Sequence, residues 1–166
     1  GGGVVFSLFF ISFIVILWSI DKLSDQVLFI LGVGGFIATL FGFIDDVKNI
    51  RAKVKLIIQL LISIWAVYFL YENGVSSLDW SLVFIIPVCL FFMIWMMNAY
   101  NFMDGIDGMA ASGAIFSSLT IALVLFLTGG PIELMLISAM IVAAVSGFIV
   151  FNWPPASVFM GDAGSV

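Results

Sequence analysis

Acidic and amide side chains recur at three-residue spacing in the stretch NAYNFMDGIDG, which follows a long apolar run. The four candidates are Asn98, Asn101, Asp104 and Asp107. On a helix, this spacing would place all four side chains in one polar stripe. Gly105 and Gly108 instead favour a loop or a broken helix end, where the backbone can approach a ligand closely. Asp107 has an alternative interpretation as the N-cap of a helix that begins near Met109, but capping leaves the other three unexplained.

Two adjacent carboxylates, Asp45 and Asp46, end another apolar run in the stretch FGFIDDVKNIRAKVKLIIQ. Adjacent carboxylates repel each other, and a divalent cation or a nearby lysine relieves that repulsion. Lys55 shares a helix face with Gln59, and an ammonium group at the mouth of a helix bundle is a good partner for phosphate. An ordinary solvated loop, whose cations only set the membrane topology, is the alternative interpretation.

A third polar site lies in the stretch FNWPPASVFMGDAGSV. Pro154 and Pro155 terminate the preceding helix, because proline cannot continue it. Asp162 is then flanked by glycines, and the exposed amides of such a turn can hold phosphate oxygens. Gly161 and Ser165 are therefore candidate substrate-binding residues, with a simple turn as the alternative.

The ligand atoms at these three sites are all oxygens, apart from one lysine. Oxygen ligands suit Mg²⁺ or Mn²⁺ more than zinc. The chain has no histidine, which removes the usual base at neutral pH, and a single cysteine, which excludes an internal disulfide framework. Together the sites predict phosphate chemistry, with no nucleic-acid partner expected.

The residues that position these sites are unusually apolar. The chain of 166 residues is 64% hydrophobic and 9% charged, with a mean hydropathy of +1.32. A soluble domain is about half apolar and a quarter charged, so the surplus apolar surface predicts an integral membrane protein in a lipid bilayer. Six runs are long enough to span it, at about 4–20, 27–44, 55–71, 81–97, 109–128 and 133–151.

Backbone groups in lipid must hydrogen-bond internally, so we predict an all-α, polytopic transmembrane bundle. The last two runs should form a tight helical hairpin around Thr128–Pro131. In the second run, Gly35 with Thr39 and Ala38 with Gly42 place small residues four apart, which indicates close helix packing.

The basic residues predict the orientation of the bundle. Four of the five, Lys48, Arg51, Lys53 and Lys55, lie in or beside the segments that carry the polar motifs. By the positive-inside rule, these segments face the cytoplasm. The opposite segments, including Glu72 and Asp79, should lie outside. Aromatic residues near the run ends fit an interfacial belt.

The motifs DDVKNIRAKVKLIIQ, NAYNFMDGIDGMA and NWPPASVFMGDAGS resemble, in order and spacing, those of the polyprenyl-phosphate N-acetylhexosamine-1-phosphate transferases, bacterial glycosyltransferase family 4. The leading Gly1–Gly3 is similar to a glycine cluster of that family. The resemblance implies transfer of a sugar-1-phosphate from a UDP-N-acetylhexosamine to undecaprenyl phosphate. The products would be a lipid-linked diphosphate sugar and UMP, made on the cytoplasmic face of the bacterial inner membrane.

The resemblance also implies roles for individual residues. Asp45 is the implied base for the lipid phosphate, Asp46 lies beside it, and Lys55 contacts phosphate. Asp162 is the implied magnesium ligand, with Asn101 as a second ligand. The residues implied to line the nucleotide-sugar pocket are Asn98, Asp104 and Asp107.

The residues in the motifs NFMDGIDG and NWPPA are most similar to those of the branch that starts O-antigen and other surface polysaccharides. The peptidoglycan branch, the phospho-MurNAc-pentapeptide transferases, commonly has threonine in place of Met103 and is the alternative. An ion-coupled transporter would carry acids mid-helix, whereas here the run interiors are uncharged. A phosphotransferase of the CDP-alcohol type would carry its aspartates in one continuous motif.

Two features of the family are missing from the sequence, namely a loop carrying histidine and further helices after the third motif. We therefore expect residues 1–166 to be a single transmembrane catalytic fragment of a larger protein of about ten spans. Alone, such a fragment need not be active, and a homodimer is left open.

Overall fold

The computed structural model describes residues 1–74 and 80–165, and it describes side chains for residues 1–70 and 84–165. The described residues are mostly helical and contain no strand. The helices are α1 (Gly2–Ser19), α2 (Asp25–Lys48), α3 (Ala52–Gly74), α4 (Trp80–Met103), α5 (Met109–Thr128), α6 (Ile132–Asn152) and the short α7 (Asp162–Ser165). Six of the described helices are long and apolar enough to cross a membrane. The predicted all-α fold is confirmed.

Helix α2 carries the first pair of acids in its last turn. Its N-terminus is capped by the Ser24 side chain, and it contains a π-helical stretch at Leu28–Gly34. It ends at Asn49, which adopts a left-handed conformation with φ of 49° and donates its N–H to the Asp45 carbonyl. Asparagine tolerates this conformation better than most residues. Asp45 and Asp46 are therefore held on a helix rather than in a loop.

Helix α4 extends to Met103, so Asn98 and Asn101 are helical, whereas Asp104 and Asp107 lie in the turn before α5. The predicted broken helix end is confirmed. The N-cap interpretation of Asp107 is wrong. The capping position is Gly108, whose φ of 73° favours glycine, and no side chain caps α5.

Helices α5 and α6 form the predicted hairpin. Gly129 closes α5 with φ of 66°, and the Gly130 N–H donates to the Leu125 carbonyl. Nearer the other end of the pair, the buried side chains Ala110, Ala111, Val145, Phe148 and Met160 pack into one core cluster. This cluster anchors the segment after α6 to the hairpin.

Small residues allow α1 and α2 to pack against the backbone of the last turn. A Cβ on Gly42 would overlap the Asp162 carbonyl, and a Cβ on Gly3 would overlap the Met160 carbonyl. The Gly2 and Gly3 N–H groups donate to the Phe159 and Met160 carbonyls. Close packing at Gly42 is as predicted, although it is made with α7.

The two ends of the bundle carry different polar residues. At one end, Trp18 Nε1 donates to Asp25, and Glu133 accepts from the Ser24 N–H. At the other end of the bundle, α7 meets the ends of α2 and α4 and the start of α3. Asp79 and the side chain of Glu72, which are predicted to lie on the outer side of the membrane, are not among the described residues.

Candidate active site

Lys55 lies at the centre of the polar end of the bundle. Its Nζ forms an ion pair with Asp45 and lies 2.6 Å from Asp162 Oδ2. Helix α2 supplies Asp45, the first turn of α3 supplies Lys55, and α7 supplies Asp162. Three predicted residues, which come from two motifs and lie on three different helices, therefore meet at one point. Lys48 and Lys53, by contrast, are exposed.

Asp45 is a carboxylate with only 2% of its surface exposed. Its Oδ1 accepts a hydrogen bond of 2.7 Å from the Ile50 N–H. Its Oδ2 forms an ion pair with the Lys55 ammonium group. A buried carboxylate is costly unless it is paired. Lys55 therefore stabilises the charge of Asp45.

Asp162 is half-buried and is held by three neighbours. Its second oxygen, Oδ1, accepts from the Asn101 side-chain amide, which also lies 3.2 Å from Ser165 Oγ. Burial acts to raise the pKa of Asp162, but side-chain hydrogen bonds with Asp45, Lys55 and Asn101 outweigh it and hold that pKa below its ordinary value. The carboxylate is thus kept charged.

Asp46 points away from Asp45 and binds the backbone of α7. Its carboxylate accepts from the Asp162 N–H at 2.8 Å and from the Ala163 N–H at 3.5 Å. Gly161 precedes α7 with φ of 70°, and a Cβ there would overlap the Asp46 carboxylate. The repulsion between the two adjacent acids is relieved because one faces a lysine and the other faces backbone amides.

Asp104 and Asp107 join the turn after α4 to the segment after α6. Asp104 accepts from the Gly161 N–H at 2.9 Å, and Asp107 accepts from the Ala156 N–H at 2.9 Å. Burial, and less strongly the nearby charges of Asp46 and Asp162, raise the pKa of Asp104 against the opposing effect of the backbone N–H groups. Both carboxylates bind protein backbone here, as does Asp46.

These hydrogen bonds bear on the expectation that the backbone amides around Asp162 bind phosphate. The N–H groups of Gly161, Asp162 and Ala163 all donate to carboxylates of the protein. Ser165 is buried, and its Oγ donates to the Gly161 carbonyl at 3.0 Å. Phosphate binding by these amides would require the carboxylates to release them. Gly161 and Ser165 therefore have a visible structural role in shaping α7.

Two buried amide side chains were not among the predicted site residues. Asn152 is 2% exposed, accepts from the Gly108 N–H at 2.9 Å and donates to the Val158 carbonyl at 3.0 Å. Gln59 is 2% exposed and accepts from Asn98 Nδ2 at 2.8 Å. The sequence carried a signal for both residues, because each is a polar amide inside or at the end of an apolar run. Such a group needs a hydrogen-bond partner in a membrane, which marks it as part of a polar contact.

A magnesium ion at this site would have to take most of its ligands from elsewhere. Within the described residues, no three side chains of Asp, Glu, Cys or His gather into a closed metal site. Asn101 nevertheless contacts Asp162 through its amide nitrogen, and each of the two side chains carries an oxygen. Mg²⁺ commonly uses one or two carboxylates and completes its shell with water and substrate phosphates.

The sequence matches the profile of Glycosyl transferase family 4 over residues 28–166, a range that includes every predicted site residue. The chain belongs to glycosyl transferase family 4. The family predicted from the three motifs is therefore confirmed.

Curated relatives of this family 4 chain fall into two kinds. A probable undecaprenyl-phosphate N-acetylglucosaminyl 1-phosphate transferase of Bacillus subtilis (strain 168) is 35% identical over 145 residues, covering 81% of this chain and 39% of the relative. A phospho-N-acetylmuramoyl-pentapeptide-transferase of Fervidobacterium nodosum is 38% identical over 175 residues, covering 99% of this chain and 54% of the relative. A second such transferase, from Lactococcus lactis subsp. cremoris, is 36% identical over 141 residues, covering 75% of this chain and 42% of the relative. The chain spans about half or less of each relative's length.

Proposed function

We propose that this family 4 chain carries part of the active site of a membrane transferase. The enzyme would move N-acetylhexosamine-1-phosphate from a UDP-sugar to undecaprenyl phosphate, giving a lipid-linked diphosphate sugar and UMP. The observation that carries this proposal is the convergence of Asp45, Lys55, Asp162 and Asn101 at one end of the bundle. Relatives of both kinds are named for transfer of a phosphosugar, one of them to undecaprenyl phosphate.

In the direct form of this reaction, an oxygen of the lipid phosphate attacks the phosphorus atom attached to the sugar. One P–O bond forms while the bond to the bridging oxygen breaks, and the electron pair of the broken bond stays on UMP. Asp45 accepts the proton of the lipid phosphate through Oδ2, the oxygen that faces Lys55. Lys55 then exchanges one carboxylate partner for a phosphate oxygen, which its partly exposed position permits.

The proposed metal is Mg²⁺, or Mn²⁺, held by Asp162 and Asn101. When bound, it would supply positive charge that stabilises the phosphate oxygens of the departing UMP. The chain's own contribution is to keep Asp162 ionised through Lys55 and Asn101 and to fix its backbone through Asp46. Asp104 and Asp107 hold the segment that leads to Asp162.

The polar end of the bundle faces the cytoplasm in this proposal, because the basic residues cluster there and UDP-sugars are cytoplasmic. We further propose the branch that initiates surface polysaccharides such as O-antigen, on the basis of Met103 and the NWPPA wording. The second candidate is phospho-MurNAc-pentapeptide transfer, which is favoured by a relative that covers 99% of this chain.

The experiment that tests both candidates uses the full-length protein in vesicles that contain undecaprenyl phosphate. Radiolabelled UDP-GlcNAc, other UDP-N-acetylhexosamines and UDP-MurNAc-pentapeptide are offered separately, and label in the extracted lipid is measured with release of UMP. Transfer from a UDP-N-acetylhexosamine supports the first candidate. Transfer from the pentapeptide donor alone supports the second. A folded protein that labels no lipid from any donor contradicts the proposal.

A further inference from the structure

The Asn98 side chain lies one turn before Asn101 on α4, and its amide orientation is fixed by the protein. Asn98 Nδ2 donates to the Ile94 carbonyl at 2.8 Å and to Gln59 Oε1 at 2.8 Å. The Ile94 carbonyl can only accept, so the nitrogen of the Asn98 amide must face it. The same nitrogen touches Gln59, and Gln59 must therefore present its oxygen.

This arrangement uses both hydrogens of the Asn98 amide and leaves its oxygen, Oδ1, without a donor in the described ranges. Asn98 is exposed, whereas Gln59 is 2% exposed. The exposed partner therefore offers a free acceptor oxygen, while the buried partner has no access to a ligand. Gln59 also lies one turn from Lys55 on the same helix, so it links α3 to α4 directly below the Lys55–Asp162–Asn101 contact.

We propose that Gln59 is a positioning residue of the transfer reaction and that it acts through Asn98. By accepting from Asn98 Nδ2, it holds Asn98 Oδ1 toward the polar end of the bundle as an acceptor for a hydroxyl or N–H group of the donor sugar nucleotide. It also fixes the separation of α3, which carries Lys55, from α4, which carries Asn101. This inference rests on the proposed transferase function.

The test is a double-mutant cycle with Gln59→Met and Asn98→Ala in the full-length protein. Methionine keeps the size of Gln59 but cannot accept the hydrogen bond. We expect Q59M to lower kcat by roughly 10- to 100-fold, the loss typical of a catalytic group displaced by about 1 Å. In the Asn98→Ala background, Gln59→Met should cause no further fall in kcat. Additive losses would overturn the inference, because Gln59 would then act independently of Asn98.

Ser63→Ala is the matched control, because Ser63 is a fully buried polar residue one turn further along the same helix. The Ser63 hydroxyl has no hydrogen-bond partner in the described part of the chain. We therefore expect the turnover of the S63A variant to equal that of the parent. All rates are referred to protein that binds UDP, so that loss of folded protein does not count as loss of kcat. A fall in kcat for S63A equal to that of Q59M would mean that any buried change in α3 slows the reaction, and would overturn the inference.

Two further measurements keep the inference testable. If Q59M fails to fold, Gln59→Glu replaces it. Burial favours the neutral form of this glutamate, whose carbonyl oxygen still accepts from Asn98 Nδ2, so turnover should stay near the parent value. A folded Q59E with turnover as low as N98A overturns the inference. If the parent transfers no sugar, the same cycle is read by the melting temperature. Non-additive shifts then support the Gln59–Asn98 link while the proposed function fails, and additive shifts overturn the link itself.

Discussion

Lys55 Nζ lies 2.6 Å from Asp162 Oδ2, although 107 positions separate the two residues in the chain. The same ammonium group pairs with the buried Asp45. Lys55 therefore joins the end of the second spanning helix to the turn that follows the sixth. Removal of this one charge would leave Asp45 buried without a cation and Asp162 with a weaker partner set.

The first prediction concerns this lysine. Lys55→Ala should lower turnover by roughly 10- to 150-fold, the equivalent of about 1.5–3 kcal/mol for a lost charge-assisted contact with phosphate. Lys48→Ala and Lys53→Ala are matched controls, because both side chains are exposed. Initial rates of sugar-phosphate transfer measure the difference. Equal, small effects at all three lysines would favour a solvated loop over a phosphate site.

The second prediction concerns Asp162. Asp162→Asn should leave a folded, membrane-inserted protein with almost no transferase activity and an increased requirement for magnesium, because an amide lacks the charge that holds a hard cation. A magnesium titration of activity and of UDP binding measures both effects. If the variant keeps near-parental activity at ordinary magnesium concentration, another carboxylate must be the ligand.

The third prediction concerns the glycine that lets α2 approach α7. Gly42→Ala should destabilise the protein by about 1–3 kcal/mol, because overpacking at a contact without space forces the backbone apart. A Cβ on Gly147 meets no atom within 4 Å, so Gly147→Ala is the control and should be neutral. The melting temperature in lipid nanodiscs compares the two. A G42A variant as stable and as active as G147A would mean that α7 has room to move.

The fourth prediction is topological. Asp45, Asn101 and Asp162 should share the cytoplasmic face. Single cysteines at the exposed neighbouring positions 48 and 53 and at position 101, in a Cys89→Ala background, should therefore react with a membrane-impermeant thiol reagent only after the cytoplasmic side is opened. Cysteines at positions 72 and 79 should react in intact cells. The reason is the cluster of basic residues beside the three polar motifs. Labelling of position 101 from outside would contradict both the topology and the side from which the substrate enters.

The sequence alone determined the class of fold and the set of candidate residues. Long apolar runs can satisfy their backbone groups in lipid only as helices, so the all-α bundle followed from composition and run length. The prediction that all three motifs lie at one end of the bundle followed from the number of helices between them. Each membrane crossing reverses the direction of the chain, so segments separated by two crossings lie on the same side. The family followed from three motifs in order, which is a far more specific signal than any single aspartate.

Tertiary structure decided which partner each acid has. The sequence places Asp45 beside Asp46, but only packing turns Asp45 toward Lys55 and Asp46 toward the amides of α7. Local rules offered a helix cap as an alternative interpretation of Asp107, whereas the left-handed Gly108 takes that position and Asp107 binds the Ala156 N–H. Gln59 gained its partner in the same way, from the separation of α3 and α4. Hydrogen bonds between residues distant in sequence depend on how the helices pack. The helical periodicity of one run does not indicate which helix will lie beside it.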